Sequence, residues 1–115
     1  MIKKYSLFIG RWQPFHAGHK VLIETVLKEG KSVLIAIRNT EISENNPFTV
    51  LERKRAIEKA LAKWGDKVKT MSIPDIEEVC YGRKVGWGVR EIKLSEKTED
   101  ISATKIRNDS LDNRQ

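Results

Sequence analysis

Gly10-Arg11-Trp12-Gln13-Pro14-Phe15-His16-Ala17-Gly18-His19 is the stretch on which the fold turns. Before it, Tyr5-Ser6-Leu7-Phe8-Ile9 reads as a β-strand that Gly10 ends. After it, Leu22, Ile23, Val26 and Leu27 recur at helical spacing over residues 17–29, and Gly30 suits the C-terminal cap. Both histidines of the chain lie in this strand-to-helix connection, three residues apart. That spacing sets both imidazoles on one side of the first helical turn. There they stand beside the positive helix end, where phosphates gather. Gly10 is expected to let backbone amides approach a ligand, and Gly18 to leave room between the rings. Simple capping or packing is the bland alternative for the histidines. A zinc site is disfavoured, because no third ligand stands at suitable spacing and no thiolate is near in sequence.

Outward from this loop the pattern alternates. Val33-Leu34-Ile35-Ala36-Ile37 is a continuous apolar run rich in β-branched residues, as in a strand covered on both faces of a parallel sheet. Residues 39–46 are polar and loop-like. Thr49-Val50-Leu51-Glu52 is a capping box, opening a helix with Ile57, Ala60, Leu61 and Trp64 on one face and Gly65 at its close. Residues 68–73 and 89–94 alternate like half-exposed strands, and Val79-Cys80-Tyr81 is a short strand candidate between them. A last helix is expected from Ser102, with Ile101 and Ile106 as a hydrophobic staple and a polar tail from about residue 109. Strand, helix, strand, helix, strand predicts an α/β parallel sheet with right-handed crossovers. Ligands of such sheets bind outside the carboxyl ends of the strands. Attention therefore falls on the residues after each strand: 10–19, 38–47, 82–88 and 95–107.

Composition bounds the answer. The 115 residues make one domain, 39% hydrophobic and 33% charged, which excludes disordered, collagenous and membrane classes. The longest apolar run is far shorter than the ~20 residues of a membrane span. Met1-Ile2-Lys3-Lys4 leads straight into a strand, so no secretory leader is expected. The single cysteine, Cys80, excludes an internal disulfide and fits a reducing cytoplasm. Asn108-Asp109-Ser110 matches a glycosylation acceptor by chance. A net charge of +6 draws anions, either nucleic acid or phosphorylated small molecules. A small nucleic-acid-binding domain is the rival class, but no aromatic platform or recognition helix is in evidence, so nucleic acid is not the expected partner.

His16-Ala17-Gly18-His19 after a first strand resembles the signature of the HxGH nucleotidyltransferases, adenylyl- and cytidylyltransferases on a Rossmann-like parallel sheet with helices on both faces. Their second signature, I-S-x-T-x-x-R/K opening a late helix, is similar to Ile101-Ser102-Ala103-Thr104-Lys105-Ile106-Arg107. The resemblance implies transfer of a nucleoside monophosphate from a triphosphate to a phosphomonoester, with release of pyrophosphate. It implies that His16 and His19 contact the triphosphate, with Arg107 as the third catalytic residue. Gly10, Arg11, Trp12 and Gly18 would complete the first phosphate-binding loop. Ser102, Thr104, Lys105 and Arg107 would hold the leaving phosphates, with hydroxyls and amides at a helix start. Mg2+ would bridge the phosphates, held mainly by them and by water.

Within that superfamily the opening Gly10 to His19 resembles the GRFQPFHxGH of archaeal-type nicotinamide-mononucleotide adenylyltransferases. Asn46-Pro47-Phe48-Thr49 with Glu52-Arg53 resembles their NPFTxxER. Residues 97–106 are instead similar to the RTEGISTTKI of glycerol-3-phosphate cytidylyltransferases, with Asp100 in place of the glycine. Two segments against one favour ATP and AMP transfer over CTP. Arg38, Arg53, Arg83 and Trp87 are the candidate contacts to the acceptor, Trp87 also by stacking on a nucleobase. A homodimer or larger homo-oligomer and a cytoplasmic location complete the expectation.

Overall fold

The computed structural model describes residues 2–83 and 86–93. Three strands form one parallel sheet in the order β1-β2-β3: β1 is Tyr5–Gly10, β2 is Ser32–Asn39 and β3 is Val68–Pro74. Helix α1, Ala17–Leu27, joins the first pair, and helix α2, Val50–Ala60, joins the second. Parallel neighbours require such crossovers, and their right-handedness fixes where the helices fall.

The apolar spacing does what the sequence implies. Val33, Ile35 and Ile37 alternate along β2 and share one face, where they are fully buried. Ile23, Val26 and Leu27 of α1 and Ile57 and Leu61 around the end of α2 join them in one cluster. Each such side chain contributes about 1.5–3 kcal/mol on burial. Both helices therefore pack on the same face of the sheet. On the opposite face Leu7 and Met71 are exposed, and the helix expected there is not among the described residues.

Three expectations shift. The second helix does not run on to Gly65; it ends at Ala60 and passes into a 3-10 turn, Ala62–Lys67, in which Gly65 takes φ 56°. That left-handed backbone favours glycine and breaks the α-helical path. The strands expected at residues 79–81 and 89–93 are irregular instead. Ile92 still packs against the core, and Arg90 pairs with Glu29 at 3.1 Å, so packing and charge hold this segment without a strand ladder. Leu94, the helix from Ser102, the staple and the tail lie outside the described residues.

All three strands run the same way, so Gly10, Asn39 and Pro74 mark one end of the sheet. The chemistry-bearing loops leave from that end.

Candidate active site

Helix α1 begins with a capping box built from its two histidines. His16 is the N-cap, in extended conformation, and its Nδ1 accepts from the backbone N–H of Gly18 at 3.1 Å and of His19 at 3.4 Å. His19, three residues on, returns the bond: its Nδ1 accepts from the His16 N–H at 3.2 Å. Ser/Thr and Glu fill these two positions in the common form of the motif. The rings stack at 3.6 Å between centroids, 19° apart. Trp12 meets the His19 ring edge-on at 4.9 Å, and Phe15 lies 5.6 Å from it.

This arrangement fixes the protonation of both rings. An Nδ1 that accepts from an amide carries no proton, so the proton of the neutral ring sits on Nε2. Burial lowers the His16 pKa. His19 is pushed down to about 3, first by burial and then by repulsion from His16. Near neutral pH both rings are thus uncharged, and each can donate one hydrogen bond from Nε2–H. An imidazole in this state offers no lone pair to a metal ion. No group of three or more His, Cys, Asp or Glu among the described residues is placed to hold one.

Gly10 also makes room for a neighbouring side chain. A Cβ there would lie 2.8 Å from Cε2 of Trp12, so the space on that side belongs to the indole. Trp12 is buried, its Nε1 donates to the Ala36 carbonyl at 3.1 Å, and its own backbone is left-handed at φ 55°. Gly18 is buried and gives its N–H to the cap.

The arginines converge on the same end of the sheet, but most are occupied. Arg53 of α2, a candidate acceptor contact, is only 2% exposed. Its Nη1 donates to the carbonyls of Arg11 at 2.7 Å and Arg38 at 2.8 Å, and its Nε to that of Thr49 at 3.1 Å. It ties the ends of β1 and β2 to the start of α2. Its Nη2 is buried without a hydrogen-bond partner among the described residues. Burial lowers its pKa. No carboxylate pairs with it among the described ion pairs, so its charge adds positive potential at the strand ends. Arg38 is held by Asp75 at 2.7 Å, and that guanidinium keeps the Asp75 carboxyl below the usual carboxylate range. Arg11 donates to the Asn46 side chain at 3.1 Å. Arg83 and Trp87 lie exposed on the irregular segment beyond β3, where Trp87 rests edge-on to Tyr81 at 5.5 Å. Ser102, Thr104, Lys105 and Arg107 lie outside the described residues.

Gln13 was not singled out by the sequence reading. It is 1% exposed, and its amide donates to the Phe48 carbonyl at 2.9 Å and accepts from the Phe48 N–H at 3.0 Å. A partner 35 residues away leaves no local spacing that would have revealed it.

A parallel βαβαβ sheet whose first strand feeds a histidine-capped helix is the architecture of the HxGH nucleotidyltransferases. The family model described as cytidylyltransferase-like matches residues 7–79. The nicotinamide-nucleotide adenylyltransferase of Methanococcus aeolicus is 32% identical over 135 aligned positions, covering 94% of this chain and 78% of its own. That of Thermococcus sibiricus is 39% identical over 76 positions, covering 62% of this chain and 41% of its own. A crystal structure of a bifunctional NMN adenylyltransferase/ADP ribose pyrophosphatase from Francisella tularensis, complexed with AMP and a Mn ion, matches with a TM-score of 0.55. It is 39% identical, over 64% of this chain and 23% of that one. The chain belongs to the cytidylyltransferase-like family.

Proposed function

We propose that this protein is an adenylyltransferase that moves AMP from ATP to a phosphomonoester, nicotinamide mononucleotide first among the candidates, and releases pyrophosphate. The observation that carries the reading is the pair of stacked imidazoles at the helix start beyond β1, each accepting a backbone amide at Nδ1 and so left with Nε2 to donate. The adenylyltransferase names of its relatives favour ATP over CTP.

In the reaction a phosphate oxygen of the acceptor attacks the α-phosphorus in line. The bond from that phosphorus to the β-bridging oxygen breaks, and the electron pair leaves with pyrophosphate. The chain's work is positioning and charge stabilisation. His16 and His19 donate to phosphoryl oxygens and hand over no proton, since neither ring has one to spare without ionising. Arg53 supplies field from below, and Arg11 contributes charge at the rim. Ser102, Thr104, Lys105 and Arg107 complete the reading by holding the leaving phosphates. A divalent cation, Mg2+ in this reading, would neutralise phosphate charge when bound. The donor set fits an ion carried in by the triphosphate and water, because the histidine lone pairs are taken by amides. Arg38, Arg83 and Trp87 remain candidate acceptor contacts, Arg38 once Asp75 releases it. A homo-oligomer and a cytoplasmic location belong to the same reading; no helix of the described residues is long and apolar enough to cross a membrane.

A pyrophosphate-release screen tests this, crossing ATP and CTP with nicotinamide mononucleotide, glycerol 3-phosphate, phosphopantetheine and phosphocholine in magnesium buffer. Release with ATP and nicotinamide mononucleotide is the expected result. Release only with CTP and glycerol 3-phosphate would move the chain to the cytidylyl branch, and nucleic-acid binding without turnover would overturn the enzyme reading.

A further inference from the structure

Two loops leave the sheet beside each other, residues 11–16 after β1 and residues 40–49 after β2. The first carries the histidines. The second ends at Thr49, the cap of α2, whose side chain accepts from Glu52 N–H. We propose that Gln13 is a positioning residue for the transfer reaction: its side-chain amide pairs with the main chain of Phe48 as a strand neighbour would, and so holds the histidine loop in register with the loop after β2.

The geometry supports a registering role over a space-filling one. One N–H and the carbonyl of a single amide both meet Phe48, at 2.9 and 3.0 Å, a two-bond pairing that fixes direction as well as distance. The clamp is buried, and a buried amide left without partners is costly, so alternative placements of the loop are disfavoured. It does not act alone. Arg11 and Asn46 bond across the same two loops at 3.1 Å, and Arg53 closes the base through the Arg11 and Arg38 carbonyls. Gln13 lies between Trp12, which is anchored to Ala36, and the cap at His16. It therefore ties the histidine end of this turn to the second loop. In-line transfer depends on such register, since a misplacement of about 1 Å can lower rate by about 100-fold.

The proposal rests on the adenylyl-transfer reading, and the experiment keeps the two separable. Gln13→Met fills a similar volume and removes both hydrogen bonds to Phe48; Gln13→Glu keeps an acceptor for the Phe48 N–H and sets a second oxygen against the Phe48 carbonyl. Steady-state kinetics with ATP and nicotinamide mononucleotide are measured well below the melting temperature, beside 1H–15N spectra reading the Phe48, Gly18 and His19 amides. The expected result, in both variants, is a kcat lower by about 10- to 100-fold with KM for ATP within about threefold. The Gly18 and His19 amides should shift together with Phe48. A folded variant with parental kcat and a displaced Phe48 amide overturns the proposal. If the parent itself shows no turnover, the adenylyl reading fails, and the spectra decide: displaced Gly18 and His19 amides support Gln13 as the registering contact, and unmoved ones overturn it. If neither variant folds, Gln13 determines the fold and the positioning role is overturned.

Discussion

Replacing His16 with asparagine separates the two jobs of one ring. Asparagine is among the best N-cap residues, and its side-chain oxygen can reach the amides that Nδ1 now serves. It cannot reach where Nε2–H points. Alanine at the same position loses both. The cap in question holds the Gly18 amide at 3.1 Å and the His19 amide at a longer 3.4 Å, so one good bond and one weak one are at stake. That places His16→Ala near the middle of the known range, about 1 kcal/mol of stability. For a chain of this size the loss lowers the melting temperature by about 4 °C. His16→Asn should melt within about 2 °C of the parent, because the capping bonds survive. Turnover should fall in both variants by about 100- to 1,000-fold, the scale of losing one preorganised donor to a developing charge. Thermal melts by circular dichroism and pyrophosphate release on the same preparations give the two readings. Turnover near the parental rate in His16→Asn would refute Nε2 donation. Equal destabilisation by asparagine and alanine would refute the cap.

Acidification from pH 7 to 5 should lower stability. The unfolded chain protonates His19 below about 6.5, whereas the folded ring resists down to about 3, so acid favours the unfolded state across that window. The full effect is about 1.4 kcal/mol per pH unit, and solvent access to the ring reduces it to about 1 kcal/mol between pH 7 and 5. Urea melts check this, and no change between those pH values would refute it; the lowered carboxylates of Glu24 and Asp75 weaken the fold only at lower pH. Gly10→Ala should lose about 1–3 kcal/mol by pressing on the pinned Trp12 indole, measured by thermal melt, and an unchanged melt would show that the ring yields freely. Arg53→Lys should lose about 2 kcal/mol, since an ammonium cannot reproduce the guanidinium fork across the Thr49, Arg11 and Arg38 carbonyls, and parental stability would show that the clamp is dispensable.

Much of the fold was legible because it is written at short range. The strand at residues 5–9, the run at 33–37, the Thr49–Glu52 box and the helical spacing of α1 each lie within one periodic window, and each stands within a few residues of where it was expected. The segment near residue 90 alternates like a strand yet is irregular, because alternation gives which side of a chain is apolar and not whether a neighbour offers a ladder. Of the site, the histidine spacing was readable, but not that the His16 ring would take the Gly18 and His19 amides while the His19 ring took that of His16. Arg53 was found by resemblance and expected to face a ligand. Its Nε and Nη1 also bond three carbonyls drawn from the ends of β1 and β2 and the start of α2, a convergence that only the tertiary fold defines.

The reciprocal histidine cap also changes what the end of α1 offers to an anion. At an ordinary helix start the amides themselves face the ligand. Here the amides of Gly18 and His19 are spent on the first ring and that of His16 on the second. Each ring takes a hydrogen bond at one nitrogen and can give one at the other, and bonds in such a chain polarise one another. The helix's positive end is thereby relayed outward through two aromatic rings and delivered one side chain farther from the backbone. Serine and glutamate at the same two positions would cap the helix as well and end that relay in a hydroxyl and a carboxylate.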